Sequence, residues 1–218
     1  MNDWLAIPDW LAKPGGFFNE NAHLYRDESG CLVPSNTQVF EILGMNDFSR
    51  VDPDDLTWKR EYGNAVHRGI ELLVFQLLDW DTCAEEVIPA ITGVEQFLKE
   101  LQYEPEAAEE RRIVTLNGMK YGATLDHRGS ILYHGVRRKI VIDVKTGTKA
   151  SPTWKWQGGG YVPTVSHLLL VAQVNRVGKV TPYWVDALKA QREFCILLAA
   201  ANLALNAGLA KIRGVEGE

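Results

Sequence analysis

The stretch Val141-Ile142-Asp143-Val144-Lys145-Thr146-Gly147 constrains this chain most. Val141, Ile142, Val144 and Thr146 are β-branched, and Thr-Gly closes the run, which is the pattern of a short buried strand. Side chains alternate along a strand, so Ile142 and Val144 point to one face and Asp143 and Lys145 to the other. One face packs into a core. The other carries a carboxylate and an ammonium about 7 Å apart along the strand. Such a pair suits metal-assisted phosphodiester chemistry: the carboxylate holds a divalent cation, and the lysine steadies the attacking water or the developing charge. Asp-x-Lys also occurs on solvated faces, so the reading depends on what else converges on it.

A chain of 218 residues suits one domain with a sizeable core. At 46% hydrophobic and 23% charged residues it is globular rather than disordered. No apolar run reaches membrane-spanning length, and Met1-Asn2-Asp3-Trp4 lacks the basic start of a secretory signal. Cys31, Cys83 and Cys195 are far apart and odd in number, which predicts reduced thiols, a cytoplasmic protein and no four-cysteine cluster. A net charge of -5 counts against non-specific coating of nucleic acid but not against a metal site rich in acids. Arg137-Arg138-Lys139, Lys149 and Lys155 are the candidates for phosphate contacts.

The expected organisation is an irregular Trp-, Pro- and Gly-rich arm at 1–22 followed by a single domain at 23–218. A hairpin is predicted over 23–33, with Ser29-Gly30 at its turn. A short helix follows to Leu43, capped by Ser35 or Asn36 and ended by Gly44. After a polar loop at 45–56, a helix over 57–80 buries Tyr62, Val66, Ile70, Leu73 and Leu77, with Gly63, His67 and Glu71 on the adjoining face. Glu71 reads as a surface residue. A second helix spans 83–102, and 104–110 reads as an acidic connection. Strands at 112–116 and 120–126 flank the hairpin turn Asn117-Gly118, with Tyr121, Ala123 and Leu125 on one face and Gly122, Thr124 and Asp126 on the other. His127-Arg128-Gly129 reads as a turn, 131–134 as a short strand, and 137–139 as a basic turn into the Asp143 strand. Strands at 166–174 and 179–185 precede a helix from Asp186 to Asn206, with Leu188, Phe194, Cys195, Leu198, Asn202 and Leu205 inward.

His67, Asp126, Asp143 and Lys145 form the candidate constellation. One imidazole, two carboxylates and water, completed by the Val144 carbonyl, make a shell for Mg²⁺ or Mn²⁺. In order and spacing these residues resemble the PD-(D/E)XK nuclease superfamily, and within it the RecB-like exonuclease branch. The resemblance runs from His23 to Asn206 through His23-x-Tyr25, Val33-Pro34-Ser35, Gly63-x-x-x-His67, Gly122-x-x-x-Asp126, Asp143-x-Lys145 and Gln157-x-x-x-Tyr161. It implies an α/β fold with a restriction-endonuclease-like core, a mixed sheet flanked by helices. It implies Mg²⁺- or Mn²⁺-dependent hydrolysis of DNA from an end, with metal ligands His67, Asp126, Asp143 and Val144 and catalytic residues Asp126, Asp143, Lys145, Gln157 and Tyr161. The partners it implies are single- or double-stranded DNA, with a second copy of the chain or a recombination protein beside it, in recombination, repair or phage DNA processing. The alternatives are an endonuclease of the same fold and a non-catalytic DNA-binding module.

One segment departs from the family pattern. Gly158-Gly159-Gly160 fills the spacer of Gln157-x-x-x-Tyr161, and each glycine costs a helix about 1 kcal/mol relative to alanine. Either neighbouring contacts impose a helix there, or the segment is a loop that orders on DNA. Trp154 and Trp156 beside it read equally as core residues and as base-stacking platforms.

Overall fold

The computed structural model describes residues 17–19, 24–46, 51–162 and 167–213. Most of the expected N-terminal arm (1–16 and 20–22), His23 and Ser166 lie outside the described residues. Five strands form a mixed sheet: β4 (Glu104–Leu116), β5 (Met119–Tyr133), β6 (Val136–Lys145), β7 (Leu168–Val174) and β8 (Val180–Val185), in that spatial order. β6 and β7 run parallel, and the other neighbours pair antiparallel. Three short strands, β1 (Phe17–Asn19), β2 (Leu24–Arg26) and β3 (Leu32–Val33), make a separate antiparallel sheet. The helices are α1 (Asn36–Ile42), α2 (Pro53–Val74), α3 (Ile88–Glu100), α4 (Thr153–Tyr161) and α5 (Ala187–Asn206). This is the expected mixed α/β architecture, consistent with a restriction-endonuclease-like core. None of the described helices is long and apolar enough to cross a membrane.

The alternation in β6 sets the two layers. Ile140, Ile142 and Val144 are fully buried with Val66 and Ile70 of α2 and Ile91 of α3. Val141, between them in sequence, joins Val39 of α1, Tyr161 of α4 and Phe194 of α5 on the other side. Each such aliphatic side chain withdraws about 1.5–3 kcal/mol worth of apolar surface from water. Side chains cap three of these helices: α1, α2 and α5. Ser35 and Gln38 make a reciprocal capping box on α1, and Asp186 caps α5 through the Lys189 N–H.

Several elements differ from expectation. Asp52 caps α2, which begins at Pro53, because Pro fits the first helical turn. α2 also ends at Val74, leaving Leu77 outside the buried stripe and 57% exposed. The residues read as an acidic connection are the first half of β4. Their charges are cross-strand partners: Arg137 reaches Glu104 at 2.5 Å, Arg128 reaches Glu106 at 2.7 Å and Glu110 at 2.9 Å, and Lys139 pairs with Glu106. The basic run at 137–139 therefore lies in β6, with Arg137 and Lys139 tied to β4. His127-Arg128-Gly129 is no turn but the middle of β5. Gly129 is required there because a Cβ would stand 2.2 Å from the Glu104 carbonyl oxygen. The β5–β6 turn is His134-Gly135, both at positive φ. On α5, Ala187, Ala190, Phe194, Leu198 and Ala201 face inward, and Leu188 points out at 39% exposure.

The three glycines are helical. A Cβ on Gly159 would lie 2.4 Å from the backbone of Ala190, and one on Gly160 would lie 2.7 Å from Asn36 Nδ2. Close approach of α4 to α5 and α1 thus offsets the helix-propensity cost of glycine. Gly159→Ala is expected to destabilise the protein by about 1–3 kcal/mol, as overpacking does, although alanine is the better helix former. Urea unfolding reads the sign directly; a stabilised variant contradicts the close packing of α4.

Candidate metal centre

α2, β4, β5 and β6 each bring one or two polar side chains to one place. His67 follows the buried stripe of α2 by one residue, after Val66, and meets Asp126 of β5, with His67 Nδ1 3.4 Å from Asp126 Oδ2. Asp126 Oδ2 also accepts the Val144 backbone N–H at 2.8 Å. Asp143 is fully buried, and Lys145 Nζ donates to its Oδ1 at 2.9 Å. Among the described residues, Asp143 Oδ2 is buried with no hydrogen-bond partner. Gly122 opens the approach: a Cβ there would fall 2.0 Å from the Tyr25 ring, which lies across the strand. The Tyr25 and Thr124 hydroxyls hydrogen-bond, fixing the small sheet over β5.

One further candidate lies outside the residues expected above. Glu109, on β4, brings a carboxylate oxygen to the same place, and the ligand atoms of His67, Glu109 and Asp126 lie within 4.8 Å of one another. Ala108 pairs with His127 and Glu110 with Leu125, so Glu109 stands opposite Asp126. Its φ of 48° departs from the extended strand. These three residues could hold a metal ion. Asp143 stands outside this trio, engaged by Lys145.

Electrostatics fit that role. Burial pushes the Asp143 carboxyl up to about 7, with Asp126 adding to the rise. Asp126 is raised by burial as well. Burial, Asp126 and Glu71 together push Glu109 up to about 8. Burial and Lys145 press His67 down to about 4, leaving a neutral imidazole that can ligate. Asp126 and Asp143 are buried side by side, and Asp143 keeps one orphaned carboxylate oxygen. Hard oxygen donors and one imidazole match a divalent cation.

The remaining candidates sit close by. Gln157 and Tyr161 lie on α4 one turn apart, and Gln157 Nε2 donates to Tyr161 Oη at 2.5 Å. Tyr161 lines a cavity of about 650 Å³ together with His67, Glu109 and Asp126. Gln157 stands one step behind it. Glu71, read as a surface residue, is buried, lines this cavity and accepts from Arg68 at 2.5 Å. Trp156 donates to Glu193 of α5 and packs beside the core, and Lys155 pairs with Glu193 at 3.0 Å. Trp154 meets Tyr183 edge-on. His127, next to Asp126 in β5, is buried, and burial with His67 presses it down to about 3.

His67→Ala is expected to raise the Mn²⁺ concentration for half-maximal saturation by roughly 10–100-fold, the usual cost of disturbing a metal site, with a small change in melting temperature. Isothermal titration with Mn²⁺ measures it. An unchanged requirement with a lower melting temperature returns His67 to a structural role.

No protein-family model matches the chain, and no curated protein matches it. Among solved structures, one described as "Crystal structure of SSO0001" is similar at 18% identity over 66% of this chain and 74% of that chain, with a TM-score of 0.31. A likeness of that size carries no argument about function.

Proposed function

We propose that this protein is a Mg²⁺- or Mn²⁺-dependent deoxyribonuclease acting from DNA ends. The observation that carries the reading is the convergence of His67, Glu109 and Asp126 beside the Lys145–Asp143 pair, whose second carboxylate oxygen is buried and unpartnered. The ligand set is His67, Glu109 and Asp126, with Asp143 and the Val144 carbonyl adjoining. In an extended strand the N–H and C=O of one residue point to the same side, and the Val144 N–H points to Asp126. A bound divalent cation supplies Lewis acidity to a phosphate oxygen and acidifies water. Lys145, fixed by Asp143, orients the attacking water and offsets charge in the transition state. Neutral His67 keeps its lone pair for ligation. Tyr161, steadied by Gln157, lines the cavity in which the strand end sits.

The DNA-end requirement follows from shape and charge. The cavity, about 650 Å³, has the size of a small-ligand site and suits a nucleotide or two rather than a duplex turn. Arg137, Lys139 and Lys155 are engaged by carboxylates, which leaves less basic surface to clamp internal duplex. With Mn²⁺, linear DNA is expected to yield mononucleotides or short oligonucleotides while covalently closed circles survive. Linearisation of closed circles at the linear-substrate rate makes the protein an endonuclease. Tight binding with no cleavage of either makes it a non-catalytic module.

A further inference from the structure

The cavity continues past the metal-ligand trio, and its polar wall continues with it. On α2, Asn64, Arg68 and Glu71 recur at i, i+4 and i+7, one residue round from the Gly63–His67 row, and all three line the cavity. Arg68 Nη1 donates to Glu71 Oε2 at 2.5 Å; the Glu71 side chain is 9% exposed and that of Arg68 35%. A buried carboxylate thus holds one corner of a guanidinium whose five donors form a rigid fork. From β4, Arg111 lines the same cavity, its Cζ 4.7 Å above the Phe18 ring. Both guanidiniums act on the Glu109 carboxyl. The wall carries three carboxylates and two guanidiniums, and a divalent cation on the ligand trio would neutralise carboxylate charge there while the two guanidiniums keep theirs. That leaves a place for an anion.

We propose that Arg68, held by Glu71, and Arg111 form a phosphate subsite for the DNA strand beside the metal trio. Arg68 is the contact residue and Glu71 the positioning residue. Guanidinium forks match phosphate oxygens in paired hydrogen bonds. The identity of the anion rests on the nuclease reading.

The test is anisotropy of a fluorescein-labelled single-stranded oligonucleotide, with Ca²⁺, another oxygen-seeking cation, present at a series of salt concentrations. Arg68→Gln is expected to weaken binding roughly tenfold, as loss of a charged hydrogen bond does, and to lower the salt slope by about 0.7, the value of one phosphate contact on a single strand. Arg68→Lys keeps the slope and loses part of the affinity. Glu71→Gln weakens binding with the slope unchanged, and adds nothing to Arg68→Gln in the double variant. An Arg68→Gln protein with unchanged affinity and slope but a lower melting temperature overturns the proposal and leaves the pair as helix support. So does a wild-type protein that binds no oligonucleotide. A 5′-phosphorylated oligonucleotide, its 5′-hydroxyl form and a single-stranded circle separate the sources. An effect that persists on the circle assigns an internal phosphate, and one confined to the phosphorylated end assigns a terminal phosphate. Wild-type binding with the expected slopes but no cleavage in Mn²⁺ sinks the nuclease reading and keeps the subsite.

Discussion

Asp126→Asn and Asp143→Asn are each expected to bring Mn²⁺-dependent cleavage to background while the protein stays folded. Asparagine preserves volume and can still accept the Val144 N–H at position 126, so the loss falls on charge. The stability of the metal-free protein carries a second signature. The Asp143 carboxyl is pushed up to about 7 by burial and by Asp126. A carboxyl whose folded pKa exceeds its unfolded one holds its proton more tightly in the folded state, so stability declines as pH rises from about 4 to about 7. Removing that carboxyl removes its share of the decline and leaves the shares of Glu109 and Asp126, which are raised as well. Between pH 4 and pH 7 the melting temperature of metal-free Asp143→Asn should therefore fall less than that of wild type, on top of a pH-independent loss from leaving Lys145 without its partner. Thermal melts across that range in chelator, beside cleavage assays, measure both. Wild-type cleavage in either variant contradicts the assignment of these aspartates.

Lys145→Ala is expected to lower the single-turnover rate by about 10²–10³-fold, the usual loss of one preorganised charge-stabilising group, without raising the Mn²⁺ requirement. The ammonium occupies Asp143 Oδ1; its removal makes the cluster more negative, which favours the cation. The same removal leaves Asp143 buried without its partner. Breaking a buried pair costs about 3–5 kcal/mol, so the metal-free variant should melt well below wild type. Mn²⁺ should restore much of the difference, because a ligand bound only by the folded state stabilises it. Equal losses of rate and metal affinity, or an unaltered rate, contradict the role given to Lys145.

The legible parts of this site are those where a local pattern decides the structure. The β6 alternation placed Ile142 and Val144 in one core and Asp143 with Lys145 on the opposite face because a strand has only two faces. The Asp186 cap marked the start of α5 for the same local reason. Glu109 was hidden because the acidic run 104–110 looked like a connection; its backbone pairs with β5, and Arg128, Arg137 and Lys139 offset its charges. The Asn117-Gly118 turn held the clue: with Leu116 paired to Met119, counting back along the hairpin sets Glu109 opposite Asp126. Glycines 158–160 argued against a helix by propensity, whereas contact with Ala190 and Asn36 decided for one. Glu71 looked exposed because its burial comes from tertiary neighbours at the cavity wall, which no helical period reveals.

The proposed hydrolysis of DNA by the His67–Glu109–Asp126 cluster beside Asp143 and Lys145 needs a divalent cation. The direct measurement is release of acid-soluble nucleotides from end-labelled linear DNA by the purified wild-type protein. It is made with Mn²⁺, with chelator, and with the Asp143→Asn protein in Mn²⁺. The expected result is release in the first reaction alone. Release that persists in chelator, or at the same rate with Asp143→Asn, contradicts the account.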